Sequence, residues 1–391
     1  MPRLITRTVW ILSLVSLFTD TASEMLYPVM PIYLKSIGFS IVLIGVLEGL
    51  AEATAGLSKG YFGQWSDRSQ RRAPFVQLGY ALSAISKPLM GLFVAPLWIF
   101  FARTVDRLGK GVRTGARDAM LSDAAAPGTK GRVFGFHRSM DTLGAVLGPA
   151  LALLYLHSHP GQYVPLFFIA FAPGLLAMAA SFMLKDAQQA RPAPQAPVSF
   201  LAFAHYWKRS PQAYRRLSRG LLLFALFNSS DVFLLLQAKN AGLTDAQTIG
   251  AYIFYNLIYA LAAFPLGMLA DRIGLKRTFL IGLGLFALVY AGMAVGGGLV
   301  FIGLLFLLYG LYAAATEGIA KAWITEVTDS KDTATAIGTF AGFQSICALV
   351  ASSVAGLLWF AFGPTVTFAV TGAAALVVIA YLLRYTRRRS T

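Results

Sequence analysis

Apolar blocks of about 20 residues recur from one end of the chain to the other, separated by short polar breaks, and that is the length an α-helix needs to cross a bilayer. Of the 391 residues, 57% are hydrophobic and only 13% charged, where a soluble domain carries about a quarter charged residues. In lipid every backbone polar group must be satisfied within the spanning element, which leaves helices as the expected form. The chain is therefore expected to be an all-α integral membrane protein. Its twelve spans are placed near 9–33, 41–64, 73–93, 96–121, 134–157 and 163–184, then 217–238, 246–269, 277–297, 299–325, 334–360 and 363–384.

The fourth span departs from the apolar pattern. Arg103 to Asp118, RTVDRLGKGVRTGARD, carries seven charges. Arg103, Arg107, Lys110 and Arg117 fall on one helical face, Asp106 and Arg113 flank it, and Asp118 closes its end. Facing lipid, each charge would cost about 2.5–3.5 kcal/mol, so the face is expected to look inward. Asp20 and Glu24 in the first span and Glu48 and Glu52 in the second repeat an i, i+4 spacing. Carboxylates stacked in a low-dielectric interior can take up and release protons near neutral pH. The alternative is a set of fixed ion pairs with the fourth-span bases. On the first reading Asp20, Glu24, Glu48, Glu52 and Arg107 serve proton coupling, and Arg103 with Arg107 attracts an anionic group. Lys87, His137, Arg138 and Asp141 extend the same network.

The net charge of +16 is distributed by topology. Basic residues crowd alternate connections, from Arg3 and Arg7 through Arg68, Arg71 and Arg72 to Arg387, Arg388 and Arg389, which is the positive-inside pattern. It predicts both termini in the cytoplasm, an inner-membrane location and no nucleic-acid partner. Asp20 and Glu24 interrupt the first apolar run, which is kept as a span rather than read as a signal peptide. The single cysteine, Cys347, allows no disulfide framework, and the four histidines show no metal-site spacing. No cofactor is expected.

Two echoes divide the chain. GYFGQWSDRSQRR (60–72) and PLGMLADRIGLKRT (265–278) each hold G-x-x-x-D-R followed by basic residues, about 204 residues apart. Gly111 with Gly135-Phe136-His137 is matched by Gly318 with Gly342-Phe343-Gln344 at about 207. The expected organisation is a six-helix bundle over 1–184, a linker over 185–216 and a second bundle over 217–391. The linker combines RPAPQAP with a basic-aromatic stretch suited to the inner leaflet. Parallel repeats of this kind place a substrate site between halves near the midplane.

These paired loops resemble the signature of the major facilitator superfamily between its second and third helices and the repeat between its eighth and ninth, with Gln70 standing where the family usually has glycine. Gly144-x-x-x-Gly148-Pro149 resembles the family's antiporter motif, and Arg107-x-x-x-Gly111 the motif whose arginine is linked to proton coupling. The resemblance implies two six-helix bundles related by pseudo-two-fold symmetry, alternating access and a monomer. It also implies gating roles for Gly63, Asp67, Arg68, Arg71, Gly267, Asp271 and Arg272, with Asp118 pairing Arg68 or Arg71 as a latch. Gly144, Gly148 and Pro149 would let helices pack closely and bend.

The second half is poorer in charge. Asn228 and Asp231 on the seventh span, Tyr255 and Asn256 on the eighth and Glu317 on the tenth are its candidate substrate-binding groups, with Tyr27 joining them from the first span. Glu317 and Lys321, at i, i+4, can also form an internal ion pair. The expected function is proton-coupled efflux of a small organic molecule. The alternatives are proton-coupled transport of an anionic solute or nutrient, and a lipid-handling or sensor protein without coupled transport. No G-x-x-x-x-G-K-[ST] supports a nucleotide-driven pump, and no nucleophile or metal constellation supports an enzyme.

Overall fold

The computed structural model describes residues 5–27, 29–186 and 202–387, leaving aside the side chains of 31, 32, 41–53, 202–204, 245, 246, 249 and 385–387. These residues form α1 (Arg7–Leu26), α2 (Met30–Ser36), α3 (Ile41–Ser69), α4 (Ala73–Leu92), α5 (Pro96–Asp123), α6 (Lys130–Ser158) and α7 (Val164–Ser181). They continue as α8 (Ala202–Arg209), α9 (Gln212–Ala225), α10 (Val232–Asn240), α11 (Asp245–Ile273), α12 (Leu275–Val295), α13 (Leu299–Glu326) and α14 (Thr333–Arg387). Seven described helices are long and apolar enough to cross a membrane.

Four expected spans differ in form from a single straight helix. The first is α1 followed by α2, with Pro31 in the first turn of α2, where its missing N–H costs no hydrogen bond. The seventh is α9 and α10, interrupted across 226–231, where Asn228-Ser229-Ser230-Asp231 offers side chains that compete for backbone hydrogen bonds. The last two spans run together in α14 and are divided at Gly363, whose φ of 81° is followed by Pro364.

Contacts group the chain into two units. One comprises 1–126, 140–209 and 328–342; the other comprises 127–139, 210–327 and 343–391. In the first, α3 and α4 pack on α5, and α1 and α4 pack on α7. In the second, α11 and α12 pack on α13. The first ten residues of α6 belong with the second unit, and those of α14 with the first. The RPAPQAP run of the expected linker lies outside the described residues. The basic-aromatic part forms α8, which packs on α3 with Tyr206 buried beneath Arg209. Burial, with Asp332, Asp67 and Asp329 nearby, pushes the Tyr206 phenol up.

The duplicated loops are equivalent in backbone as well as sequence. Gln70 is the only described non-glycine residue at positive φ (51°), and its counterpart Gly274 sits at 99°. The second echo shifts register in three dimensions. A Cβ on Gly135 would meet Ala263 O at 2.5 Å and Gly267 Cα at 3.0 Å, while one on Gly338 would meet Lys59 C at 3.0 Å and Gly60 Cα at 3.2 Å. The glycine that does for α14 what Gly135 does for α6 is thus Gly338, not Gly342. The sequence match follows identity, whereas the packing follows the distance from each helix start.

Left-handed backbone costs a non-glycine residue about 1–2 kcal/mol. Gln70→Gly is therefore expected to raise the melting temperature of the purified protein. Gly274→Gln should lower it by more, although a Cβ at Gly274 meets nothing within 4 Å, because φ 99° with ψ 139° is glycine territory. Equal, negligible shifts would remove the strain assigned to the first loop.

Candidate functional site

In the first unit five of the charges of α5 are turned into protein, Arg107 is half-buried and Lys110 is exposed. Arg103, Asp106, Arg113, Arg117 and Asp118 are all buried. Asp106, a flanking residue by helical spacing, is the centre of the deepest pair. Its carboxylate accepts Lys87 Nζ of α4 at 2.8 Å and Ser86 Oγ at 3.3 Å, and Arg103 approaches at 3.9 Å. Lys87 also donates to Ser23 of α1 at 3.1 Å. Arg113 donates to Ser83 at 2.6 Å and lies over the Tyr80 ring, its Cζ 4.6 Å from the centroid. Arg117 and Asp118 form a pair within α5 at 2.8 Å. One helix can carry seven charges across the bilayer because α4 and α1 supply oxygen ligands and a ring face to the sides that would otherwise meet lipid.

The acids of α1 meet α6. Gly144 and Gly148 bring the helices together: a Cβ on Gly144 would stand 2.5 Å from Leu17 O and 2.9 Å from Asp20 Cβ, and one on Gly148 2.6 Å from Met25 N. Pro149 follows within the same helix. This approach sets Asp20 in hydrogen-bond contact with Asp141, which also accepts Ser16 Oγ. Glu24 lies one turn further along α1, where Lys110 and Arg107 are the cations acting on it most strongly, followed by Lys87. Asp20, Glu24, Arg103 and Arg107 are thus brought into one polar interior. The side chains of Glu48 and Glu52 lie outside the described residues. Tyr27 is 51% exposed at the end of α1.

In the second unit Asp231 occupies the gap before α10. Its carboxylate accepts Tyr255 Oη of α11 at 2.6 Å and Tyr309 Oη of α13 at 2.5 Å. Tyr252 stacks edge-on against Tyr255, with centroids 5.4 Å apart. Asn256 is buried and donates back to Tyr252 O at 3.0 Å, which makes it a helix-bound group rather than an open ligand. Glu317 pairs with Arg138 of α6, and Arg138 also meets the hydroxyl of Tyr259. His137 is buried beside it in the chain.

The duplicated loops end in helix caps. In the first unit Asp67 accepts Thr335 N at 2.6 Å, Thr335 Oγ1 at 2.8 Å and Ala334 N at 3.2 Å, at the start of α14. In the second, Asp271 accepts Gly131 N at 2.8 Å and Arg132 N at 3.0 Å, at the start of α6. Each aspartate supplies from another helix the acceptor that unsatisfied first-turn N–H groups require, at the positive end of the dipole. Gly63 and Gly267 permit the approach, since a Cβ there would press on Ala334 C at 3.1 Å or Gly131 C at 3.0 Å. Asp67 lies past the apolar stretch 41–64; burial raises its carboxyl to about 6 against the opposing pull of Arg72 and the α14 donors.

Arg72 does most at this end, pairing with Asp67 at 3.3 Å and with Asp123, and donating to Ser330 O at 3.1 Å. These groups line a polar cavity of about 270 Å³ that also includes Lys185 and Asp186. Arg71 is exposed and contacts Ser69, and Arg272 is exposed. Arg72, Asp106, Asp123, Asp141 and Tyr309 are therefore contributors that the sequence reading did not select as site residues. Asp141 carried a signal, an acid within an apolar span three residues before Gly144.

Comparison with known proteins gives a consistent picture. The sequence profile of the Major Facilitator Superfamily matches residues 12–254 and 232–391. An uncharacterized MFS-type transporter of Methanocaldococcus jannaschii, MJ1317, is 32% identical over 94% of this chain and 92% of its own. Among solved structures, that of the human organic anion transporter MFSD10 superposes with a TM-score of 0.82 at 18% identity, covering 98% of this chain and all of the other. The transporter FucP in its outward conformation gives 0.75 at 14% identity, covering all of both chains.

The Lys87–Asp106 pair gives a stability test. Asp106→Asn leaves a buried ammonium without its counter-charge and is expected to cost about 3–5 kcal/mol, read as a fall in melting temperature in detergent. Lys87→Met combined with Asp106→Leu should cost less than Asp106→Asn alone. If Asp106→Asn melted like the parent, the pair would not be part of what holds α4 to α5.

Proposed function

Because the chain belongs to the major facilitator superfamily, and is therefore a multi-pass membrane transporter of small molecules rather than an enzyme, we propose that it exports a small organic molecule in exchange for protons by alternating access. The observation that carries this reading is the hydrogen-bonded pair Asp20–Asp141. Two carboxyls share a hydrogen bond only while one of them keeps its proton. Separating α1 from α6 would oblige the pair to release that proton or find a cation, and Lys110 and Arg107 stand one turn away beside Glu24. The pair is thus a proton store whose occupancy depends on helix position.

In this proposal the operating halves are the bundles 1–184 and 217–391, joined by 185–216, and the protein works as a monomer in the inner membrane with both termini cytoplasmic. Asp67 and Asp271 act as matched latches. Withdrawing either carboxylate from its helix start leaves first-turn amides unsatisfied, which gives the closed arrangement a definite energy to overcome. Gly144, Gly148 and Pro149 act on the α1–α6 contact that holds the proton. A second reading, transport of an anionic solute, draws on the basic side of α5, which carries Arg103, Arg107 and Lys110.

Everted membrane vesicles acidified inside, with a fluorescent pH indicator, test the proposal. A transported compound from a panel of cationic, anionic and neutral organic solutes should discharge part of the gradient when added. Asp20→Asn and Asp141→Asn should each abolish that discharge while leaving the protein monodisperse. Discharge unaltered by both substitutions, or none with any solute, would overturn proton exchange through this pair; discharge by anions alone would favour the second reading.

A further inference from the structure

The interiors of the two units differ in charge. Five of the seven charges between Arg103 and Asp118 of α5 are basic, and Lys87 adds a sixth base. In the second unit Asp231 stands apart: among the described residues no ion pair reaches it, and the charge that acts on it is another carboxylate, Glu317. Its two hydrogen bonds come from phenol hydroxyls, which donate without neutralising. A carboxylate inside a transmembrane bundle marks a functional site by default, and a cation is the ligand that matches its charge.

The surroundings say what kind of cation fits. Tyr255 and Tyr309 lie 5.3 Å apart between centroids, Tyr309 and Tyr312 likewise 5.3 Å, and Phe306 stands 6.3 Å from Tyr255. Ring faces attract cations through their quadrupoles, and clusters of them recognise substituted ammonium groups. A small inorganic cation would need a shell of oxygen ligands to replace its water, whereas Asp231 already spends its oxygens on two tyrosines. A bulky, weakly hydrated organic cation needs no such shell. The backbone supports the same reading: Asp231 sits where the seventh span is broken, as binding sites in transporters commonly do. Asn228, in the same break, holds a buried Oδ1 with no hydrogen-bond partner among the described residues, an acceptor suited to an N–H donor.

We propose that Asp231 and the tyrosines around it form the recognition site for the cationic group of a lipophilic organic amine or onium ion. This rests on the export reading above and names its substrate class. The charge is met by Asp231, the apolar body by the rings, and orientation by Asn228 where the ligand carries an N–H.

Tetraphenylphosphonium and its isosteric anion tetraphenylborate separate charge from shape. Equilibrium binding to the purified full-length protein in detergent is expected to detect the phosphonium, with the borate failing to compete. Asp231→Asn keeps an acceptor oxygen for one tyrosine and offers the other's hydroxyl an amide N–H, and should weaken phosphonium binding by roughly thirtyfold or more, the order seen when one partner of a buried charge pair is removed. Unchanged affinity in Asp231→Asn overturns the site. If that variant is not monodisperse, the parent protein decides: borate binding as tightly as phosphonium, or no phosphonium binding, overturns it. The measurement needs no pH gradient, so phosphonium binding at Asp231 without gradient-driven flux would sink proton exchange and leave the site standing. Gradient-driven flux of another solute, indifferent to Asp231→Asn, would do the reverse.

Discussion

A charge turned toward hydrocarbon destabilises a span by about 2.5–3.5 kcal/mol, and the stretch Arg103–Asp118 of α5 carries seven. Everything around it answers that constraint. α4 offers Lys87 to Asp106, Ser83 to Arg113 and a tyrosine face to the same guanidinium, while α1 offers Ser23 to Lys87. The glycines of α5 serve the same end, since a Cβ on Gly109 would meet Gly79 O at 2.6 Å. Polar ligands can reach buried charges only if backbones come this close. The charge content and the small residues of α5 are two aspects of one requirement.

The span pattern, the duplicated loops and the inward face of α5 were legible because hydropathy and helical periodicity are local properties. The breaks were less so. Residues 226–231 sit inside an apolar block that hydropathy reads as continuous, and only Asn228-Ser229-Ser230-Asp231 hints at the gap. Gly342 matches Gly135 by its neighbours in sequence, yet the packing glycine is Gly338, because helix contacts depend on register from the helix start. Gln70 was noted as an oddity; its positive φ gives the oddity a physical meaning.

The candidate site divides the same way. Asp20, Glu24, Arg103 and Arg107 could be read from spacing on single helices. Their pairing could not, since Asp141 lies on another helix and reaches Asp20 only through the close approach at Gly144 and Gly148. Asp118 pairs with its chain neighbour Arg117, and Arg72 holds Asp67 and Asp123. Which of several neighbouring bases takes a given acid is decided by side-chain reach after the helices have packed. Asp231 illustrates the converse: the sequence places an acid on the seventh span, and the structure adds the phenols that hold it without cancelling its charge.

The inward orientation of α5 is the claim on which the rest stands, and nitroxide scanning along residues 96–118 in reconstituted bilayers tests it directly. Collision with lipid-dissolved oxygen should be high at positions 97 and 101, where Leu97 is 84% and Phe101 52% exposed, and low at 103, 106 and 113, where the native side chains are each 5% exposed. Oxygen collision at 103 and 106 equal to that at 97 and 101 would place the charged side against lipid and contradict the account.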